Sequence, residues 1–242
     1  RLYSKDEFNN IGHEGTEQFG ALSYKPGFAI NPLKFVNGIA KYALSKKLKI
    51  FEHSLVDKID KSNGSYILRT KEGSINTKKV VLATNGFYQE GLVPQMNSRI
   101  LPVISNIIVT RKLTKKELDL HNFKTFSPIA NTKNLLYYYR KLPDNRILFG
   151  TRGDFIGSDQ SNLDRSKKME NFLKNIFPKW SDVSIEYNWR GLIAMSQKLT
   201  PSIGKIENEE IYYGFGYHGV GVSAAPWTGK QLSKLVFSSN SK

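Results

Sequence analysis

A glycine-dense stretch late in the chain combines residue types that could bind an anion or an electron-rich ring. Residues 211–213 predict a short apolar strand, residues 214–221 a turn, and the following residues a helix that ends near Phe237. In that order, backbone N–H groups and the positive end of a helix dipole are aimed at one point. The stretch therefore predicts a ligand site; a glycine-rich packing turn that binds nothing is the alternative.

The glycines of this loop match the dinucleotide fingerprint G-x-G-x-x-G through Gly214, Gly216 and Gly219. That fingerprint belongs to the first βα turn of a domain, and an acidic residue about 20 positions later binds the ribose hydroxyls. No Asp or Glu follows Glu210 in this chain, so the loop is not expected to bind a pyrophosphate. A helix N-terminus can instead stabilise the negative charge of a reduced flavin ring.

The helix after the loop has start signals of its own. Ser223 is predicted to cap it, and Pro226 is tolerated in a first turn. Apolar side chains at helical spacing predict a buried face. They are Val222, Leu232, Leu235 and Val236.

Four further side chains could contact a substrate or a cofactor. His218 lies within the glycine-rich loop and is the best candidate to contact the ring, with loop packing as the alternative. Tyr138 and Arg140 share a predicted strand, and a guanidinium can hold a carboxylate through two hydrogen bonds. Side chains alternate between the two faces of a strand, so the sequence does not decide which face of the sheet Tyr138 and Arg140 lie on. Arg190 is a fourth candidate, and a surface or interdomain ion pair is the alternative for each arginine.

Composition limits the class of protein. The 242 residues are 39% hydrophobic and 12% aromatic, which is typical of a globular chain with ample core. The net charge of +15 would suit nucleic acid, but the lysines are scattered and no nucleic-acid motif is present, so no such partner is expected. The absence of Cys excludes thiol catalysis. No run approaches the ~18 apolar residues of a membrane span, and a cytoplasmic location is expected.

The first half of the chain predicts α/β structure. Asn31 is expected to cap a helix with Pro32 at its first position, followed by apolar residues at helical spacing and a short strand at 49–51. Three meander strands are predicted at 55–59, 65–70 and 74–76. The apolar run 80–83 predicts a parallel strand buried on both faces. Its small-residue exit, through Thr84, Asn85 and Gly86, would let the backbone approach a ligand.

The middle third has a different pattern. Strands are predicted at 101–110 and 183–195, a hairpin from 135–140 and 146–151, and a helix over 162–177. Long strands joined by hairpins suggest an antiparallel or mixed sheet distinct from the α/β part.

Four stretches together resemble one family. They are the helix, strand and meander leading to KKVVLATNGF, the hairpin YYYRKLPDNRILFGTRGDF, the strand YNWRGLIAMSQKLTPSIGKI, and GFGYHGVGVSAAPWTGKQLSKLV. In this order the chain resembles the D-amino-acid oxidase superfamily of FAD-dependent oxidoreductases, in the branch with gamma-glutamylputrescine oxidase-like, glycine oxidase-like and sarcosine oxidase-like enzymes. The resemblance implies an α/β (α+β mixture) fold: a partial FAD-binding α/β domain at 28–98 and 199–242, and a mixed, largely antiparallel sheet substrate domain at 1–27 and 99–198.

The resemblance also implies roles for individual residues. Those expected to face a non-covalently bound flavin are Gly216, Tyr217, His218, Gly219, Val220 and Gly221. Thr84, Asn85 and Gly86 would lie near the cofactor, and Val56 on a strand that passes the adenine. The resemblance implies oxidation of a substrate C–N bond to an imine, in which a hydride passes from the carbon next to the nitrogen to flavin N5. The implied partner is a small amine or amino acid, and a homo-oligomer is compatible with the pattern.

Departures from the family pattern shape the prediction. The βαβ unit with the dinucleotide fingerprint and its ribose-binding acid is missing, so the chain is expected to be the C-terminal part of a longer enzyme and to need that segment to hold FAD. Gly221 stands where sarcosine oxidases have a carboxylate-binding Lys. The alternative is a non-catalytic mixed-sheet module that binds a small acidic ligand or a protein partner.

Overall fold

The computed structural model describes residues 1–134, 136–154 and 157–238 and shows a mixed α/β fold with mainly antiparallel sheets, as predicted. The strands are, in chain order, β1 (Leu2–Ser4), β2 (Gly20–Leu22), β3 (Lys58–Ser62), β4 (Ser65–Thr70), β5 (Gly73–Thr77), β6 (Val80–Leu82), β7 (Leu101–Thr110), β8 (Ile129–Ala130), β9 (Tyr137–Lys141), β10 (Ile147–Asp154), β11 (Ile185–Met195), β12 (Ser202–Lys205) and β13 (Ile211–Phe215). The α-helices are α1 (Lys5–Ile11), α2 (Pro32–Ser45), α3 (Lys115–Leu120), α4 (Asp159–Ile176) and α5 (Gly221–Ser238).

The chain divides into two compact units and passes between them three times. Unit 1 consists of Arg1–Ile30 and Ile104–Gly191, and unit 2 of Asn31–Val103 and Leu192–Lys242. The assignment of the predicted segments to a cofactor domain and a substrate domain stays a prediction.

Unit 1 is built on a five-stranded sheet in the order β11-β7-β10-β9-β8. The predicted hairpin is confirmed as β9 and β10, which pair antiparallel with Tyr139 opposite Phe149. Its turn closes where the N–H of Asn145 donates to the carbonyl of Leu142 over 3.0 Å, and Asn145 takes a left-handed conformation. One face of the sheet packs into a core that includes Ile108, Phe149, Leu173, Phe177 and Trp180.

Helix α4 begins three residues earlier than predicted. The hydroxyl of Ser158 accepts a hydrogen bond from the N–H of Ser161 over 3.1 Å, so Ser158 is the N-cap. The buried side chains of α4 are Met169, Leu173 and Ile176.

Unit 2 contains two three-stranded sheets. β3, β4 and β5 form the predicted meander, and the other sheet has the order β12-β13-β6. β6 pairs parallel with β13, with Ile211 opposite Val80, so the predicted parallel strand is confirmed. The prediction that it is buried on both faces is wrong: Val80 is buried and Val81 is 46% exposed. In the part of the chain that the structure describes, β6 is an edge strand with one covered face.

Helix α2 has the predicted cap, and none of its side chains is buried. The side-chain oxygen of Asn31 accepts from the N–H of Lys34 over 3.0 Å, and Pro32 is the first helical residue. None of Pro32–Ser45, all of which the structure describes, is buried. The helix therefore forms from local signals, while its apolar face packs on no described residue closely enough to be buried.

Two predicted strands near α2 are corrected. Residues 49–51 are not in a strand, and β3 begins at Lys58, three residues after the predicted start, so Val56 lies in the coil before it. A strand needs a partner for its N–H and C=O groups. Lys58 has one, opposite Arg69 of β4.

Candidate functional site

Gly214 belongs to strand β13 and not to the loop. A Cβ at Gly214 would lie 2.6 Å from Cγ2 of Thr228 and 2.8 Å from Cδ1 of Leu232. Those two side chains are the buried face of α5. The first glycine of the G-x-G-x-x-G match therefore lets the helix pack on the strand, and β13 continues to Phe215.

Helix α5 begins at Gly221, two residues before the predicted cap. The carbonyl of Val220 accepts from the N–H groups of Ser223 and Ala224, and the Ser223 hydroxyl donates to the same carbonyl over 3.0 Å. Ser223 thus lies in the first turn and does not cap the helix, while Pro226 lies inside the helix. Val222 of the predicted apolar face is exposed, whereas Leu232 is buried.

Three chain segments meet at the loop before α5. The N–H of Gly216 donates to Oδ1 of Asn85 over 3.1 Å, and the N–H of His218 donates to the carbonyl of Ala194 over 3.2 Å. A Cβ at Gly86 would lie 3.1 Å from Cβ of Leu192. The exit of β6, the end of β11 and the loop after β13 therefore form one site within unit 2.

The ring of His218 is held by the residue after β11. Its Nε2 lies 3.1 Å from Oγ of Ser196 and 3.4 Å from the N of Ser196. An amide N–H can only donate, so the second contact requires an unprotonated Nε2. A Cβ at Gly216 would lie only 3.2 Å from Cβ of Ser196, so any side chain at position 216 would crowd Ser196. Sequence reasoning missed Ser196, because a serine after a strand has no distinguishing pattern.

The backbone is left-handed at four positions of this site, three in the loop before α5 and one at the exit of β6. Their φ angles are 49° at Asn85, 81° at Gly216, 51° at His218 and 90° at Gly219. Left-handed residues re-aim successive N–H groups and can form anion-binding concavities. The loop leads directly into the positive end of the 18-residue α5.

The other predicted cofactor residues are distributed around this loop. Thr84 precedes the 3-10 turn Asn85–Phe87. Tyr217 is half-buried, Val220 is exposed, and a Cβ at Gly221 would touch the Tyr217 ring at 3.4 Å. Val56 is not among the residues that these hydrogen bonds bring together.

The strand register settles how Tyr138 and Arg140 face. Tyr137, Tyr139 and Lys141 are buried, so the half-buried Tyr138 and Arg140 lie on the opposite face of the sheet. The Tyr138 hydroxyl lies 2.9 Å from Oγ of Ser105, and its ring covers Gly150. Arg140 Nη2 donates to the carbonyl of Ile30 over 3.0 Å. This face of unit 1 thus presents a cation and a phenol together.

Arg190 forms an ion pair, the alternative predicted from the sequence to a role at the substrate. Its Nη2 lies 3.1 Å from Oδ1 of Asp159, and its Nη1 donates to the carbonyl of Ser158 over 2.7 Å. Both partners lie at the start of α4. A substrate that used Arg190 would have to compete with Asp159; the catalytic role stays a prediction.

Two histidines of unit 1 belong to the core. His13 Nε2 lies 2.9 Å from the Tyr139 hydroxyl, and burial, with the charge of His121 as a smaller cause, lowers the pKa of His13 to about 4. Burial likewise raises the pKa of Tyr139. The N–H of Lys179 donates to Nε2 of His121 over 3.0 Å, and burial lowers the pKa of His121. His13 is therefore structural.

Comparison with known proteins identifies the family. Residues 1–235 match the family model of the FAD dependent oxidoreductases, DAO. The chain belongs to this DAO family. Within the family it is 31% identical over 229 residues to the probable oxidoreductase OrdL of Haemophilus influenzae, covering 93% of this chain and 51% of that protein. It is 28% identical over 217 residues to the gamma-glutamylputrescine oxidoreductase of Escherichia coli, covering 90% of this chain and 50% of that protein.

Solved structures share the fold of this chain. The glycine oxidase of Geobacillus kaustophilus superposes with a TM-score of 0.80 at 17% identity, over 98% of this chain and 62% of that one. The chain thus spans about half the length of the curated DAO relatives it matches. Among the residues that the structure describes, no helix has the length and apolar character of a membrane span.

Proposed function

We propose that the chain supplies the flavin-ring side and the substrate side of an FAD-dependent oxidoreductase that oxidises a C–N bond of an amine or amino acid. The observation that carries the proposal is the convergence of Asn85, Gly216 and His218 at the start of α5. Membership of the DAO family supports the cofactor class, and similarity to the gamma-glutamylputrescine oxidoreductase of E. coli supports an amine substrate.

The loop residues fit the electron-rich edge of a flavin. Gly219 has a left-handed backbone, no Cβ and an exposed position, so a planar ring could approach the main chain there. The α5 dipole would stabilise negative charge on that edge. Tyr217, Val220 and Gly221 would complete the ring side, with Thr84 and Gly86 beside it. The flavin, when bound without a covalent link, supplies a hydride acceptor at N5.

His218 would act as an oriented polar group of this site. Its ring is fixed by Ser196, and its main chain is fixed by the carbonyl of Ala194. An unprotonated Nε2 pointed at Ser196 leaves the ring without a positive charge, so the α5 dipole would be the principal source of positive potential.

Arg140 and Tyr138 would hold the substrate. A guanidinium has five N–H donors, and the hydrogen bond to Ile30 uses one. Arg140 could therefore still bind a carboxylate, while the phenol of Tyr138 adds a polar contact on the same sheet face. Arg140 is a better candidate than Arg190, which is paired with Asp159.

The domain roles follow from these positions. We assign residues 28–98 and 199–242 to the FAD-binding part and residues 1–27 and 99–198 to the substrate part, with Ala194 and Ser196 of the latter range contributing to the flavin-ring site. The described residues hold no dinucleotide fingerprint with a ribose-binding acid, and the chain spans about half of its relatives. We therefore expect FAD to require a further polypeptide segment.

The test is a visible absorbance spectrum of the protein with FAD. The chain is purified alone and as a single polypeptide in which the unmatched half of the H. influenzae relative is joined to it, and each is mixed with FAD and desalted. The joined protein should retain the flavin bands with one FAD per chain. If it folds and retains no FAD, the proposal fails; retention of a small acidic ligand in its place would favour a binding module.

A further inference from the structure

The ring of Tyr138 extends across three strands, on the face of the unit 1 sheet that is opposite the core. Tyr138 pairs with Gly150 of β10, and a Cβ at Gly150 would clash with the ring atoms Cε2 and Cζ. The hydroxyl reaches the next strand, β7, where it lies 2.9 Å from Oγ of Ser105. One ring face is therefore covered by the β10 backbone. The half-buried side chain leaves the opposite ring face and the phenol oxygen to a ligand.

The direction of the Ser105 hydrogen bonds decides what Tyr138 can offer to a ligand. The Ser105 hydroxyl has one proton, and it donates over 3.3 Å to the carbonyl of Thr151, a group that can only accept. At the 2.9 Å contact the Ser105 oxygen therefore accepts, and the Tyr138 hydroxyl donates. This is the one arrangement in which both contacts are hydrogen bonds. Because it uses the single phenol proton, the Tyr138 oxygen is left with lone pairs only.

These lone pairs and the open ring face favour the same class of ligand. A phenol oxygen whose proton is in use can accept from an N–H group but cannot donate to a carboxylate. The negative face of an aromatic ring attracts a cation. Within the described residues the Tyr138 hydroxyl has no hydrogen-bond partner besides Ser105. Tyr138 is therefore suited to an ammonium or amine nitrogen, and Arg140 on the same sheet face is suited to an acid.

We infer that Tyr138 recognises the amine nitrogen of the substrate, and that Ser105 is a positioning residue that sets this specificity by holding the phenol proton away from the ligand. The inference deepens the proposed function and rests on it for the location of the substrate on this face of unit 1. An amine without a carboxylate would keep the contact with Tyr138, whereas a carboxylate without an amine would lose it.

The experiment compares two small probes of similar shape, n-butylammonium and butanoate, with the joined protein in the presence of FAD. Isothermal titration calorimetry measures the dissociation constant of each probe independently of flavin reduction. Ser105→Ala should weaken butylammonium binding about fivefold and strengthen butanoate binding by a similar factor, because the freed phenol proton can then point at the ligand. A general loss of sheet packing would change both constants in the same direction. Ser105→Thr, which keeps the hydroxyl, should restore both constants.

Two further variants assign the effect to the phenol oxygen. Tyr138→Phe keeps the ring and removes the oxygen, so it should weaken butylammonium binding about fivefold. Adding Ser105→Ala to it should then change neither constant further. The matched control is Ser181→Ala, which removes a hydroxyl of unit 1 whose described hydrogen bond is local, to Asp182. It should leave both constants within about twofold.

The possible results separate this inference from the proposed function. Constants that change in the same direction in Ser105→Ala, or that do not change, overturn the inference, and so does a parent protein that does not bind butylammonium. Opposite changes in a protein whose flavin no amine reduces support the inference and contradict the proposed function. Flavin reduction by an amine, together with constants that change in the same direction, does the reverse.

Discussion

The imidazole Nε2 of His218 lies 3.1 Å from the Oγ of Ser196, and this contact joins the loop before α5 to the end of β11. Ser196→Ala should free the ring and lower the rate of flavin reduction by amine about tenfold in the FAD-loaded joined protein, with FAD affinity within about twofold. His218→Ala should lower the same rate, and the double variant should lose no more than His218→Ala.

Stopped-flow reduction and FAD titration separate the two effects. Ser233→Ala is the matched control, because that hydroxyl bonds only locally, to the carbonyl of Lys230 in α5. Strictly additive losses in the double variant would show that Ser196 and His218 act independently.

Gly214 makes the packing of α5 on β13 testable. Gly214→Ala places a Cβ against Thr228 and Leu232 at 2.6 and 2.8 Å, so we expect a loss of about 1–3 kcal/mol in the free energy of unfolding. Gly229 lies in α5, and a Cβ there would have nothing within 4 Å. Gly229→Ala should therefore raise the free energy of unfolding by about 0.5–1 kcal/mol. Urea denaturation measures both. Equal effects would mean that the helix does not approach the strand as closely as described.

The buried His13 predicts acid sensitivity. Its folded-state pKa of about 4 lies below the ordinary 6.5, so the unfolded chain binds the extra proton between these values and stability falls as pH falls from 6.5 towards 4. The resulting loss in the free energy of unfolding, relative to neutral pH, is about 2 kcal/mol at pH 5 and about 3 kcal/mol once the folded protein is also protonated. Urea unfolding at pH 7 and pH 5 measures it.

Replacement of His13 isolates its share of that pH dependence. His13→Phe should be less stable at pH 7, because the Tyr139 hydroxyl loses its partner, and should lose less stability between pH 7 and pH 5. His53→Asn, at an exposed left-handed position, should keep the parent's pH dependence. An unchanged pH dependence in His13→Phe would mean that His13 is not protonated on unfolding.

The two arginines can be told apart by substrate. Arg140→Ala in the FAD-loaded joined protein should raise KM for amino acids at least about tenfold and change KM for amines without a carboxylate much less. Arg190→Ala, which removes the ion pair with Asp159, should show no such carboxylate dependence. The reverse pattern would mean that Arg190, and not Arg140, binds the substrate carboxylate.

Local signals predicted much of the site, and long-range contacts account for what they missed. The helix cap at Asn31, the hairpin of β9 and β10, and the glycine-rich loop are encoded by neighbouring residues. Ser196 meets His218 from 22 residues away, and no pattern around it indicates that contact. The face of Arg140 required the register of β9, and the start of α5 depended on the loop geometry at Val220 rather than on Ser223.

Burial was the least predictable property. The apolar spacing of α2 correctly indicated a helix, yet burial requires a surface to pack on, and the described residues of unit 2 bury none of Pro32–Ser45. The same reason explains Val81, because the neighbours of a strand decide which of its faces is covered.

Anaerobic reduction of bound FAD by amines tests the central claim most directly. The joined protein, loaded with FAD, is mixed without oxygen with a panel of small amines and amino acids while visible absorbance is followed. We predict that at least one compound bleaches the flavin bands and is released as a carbonyl product with ammonia or an amine, and that His218→Ala slows the bleaching. A protein that holds FAD stoichiometrically and is bleached by dithionite but by no amine or amino acid would contradict the account.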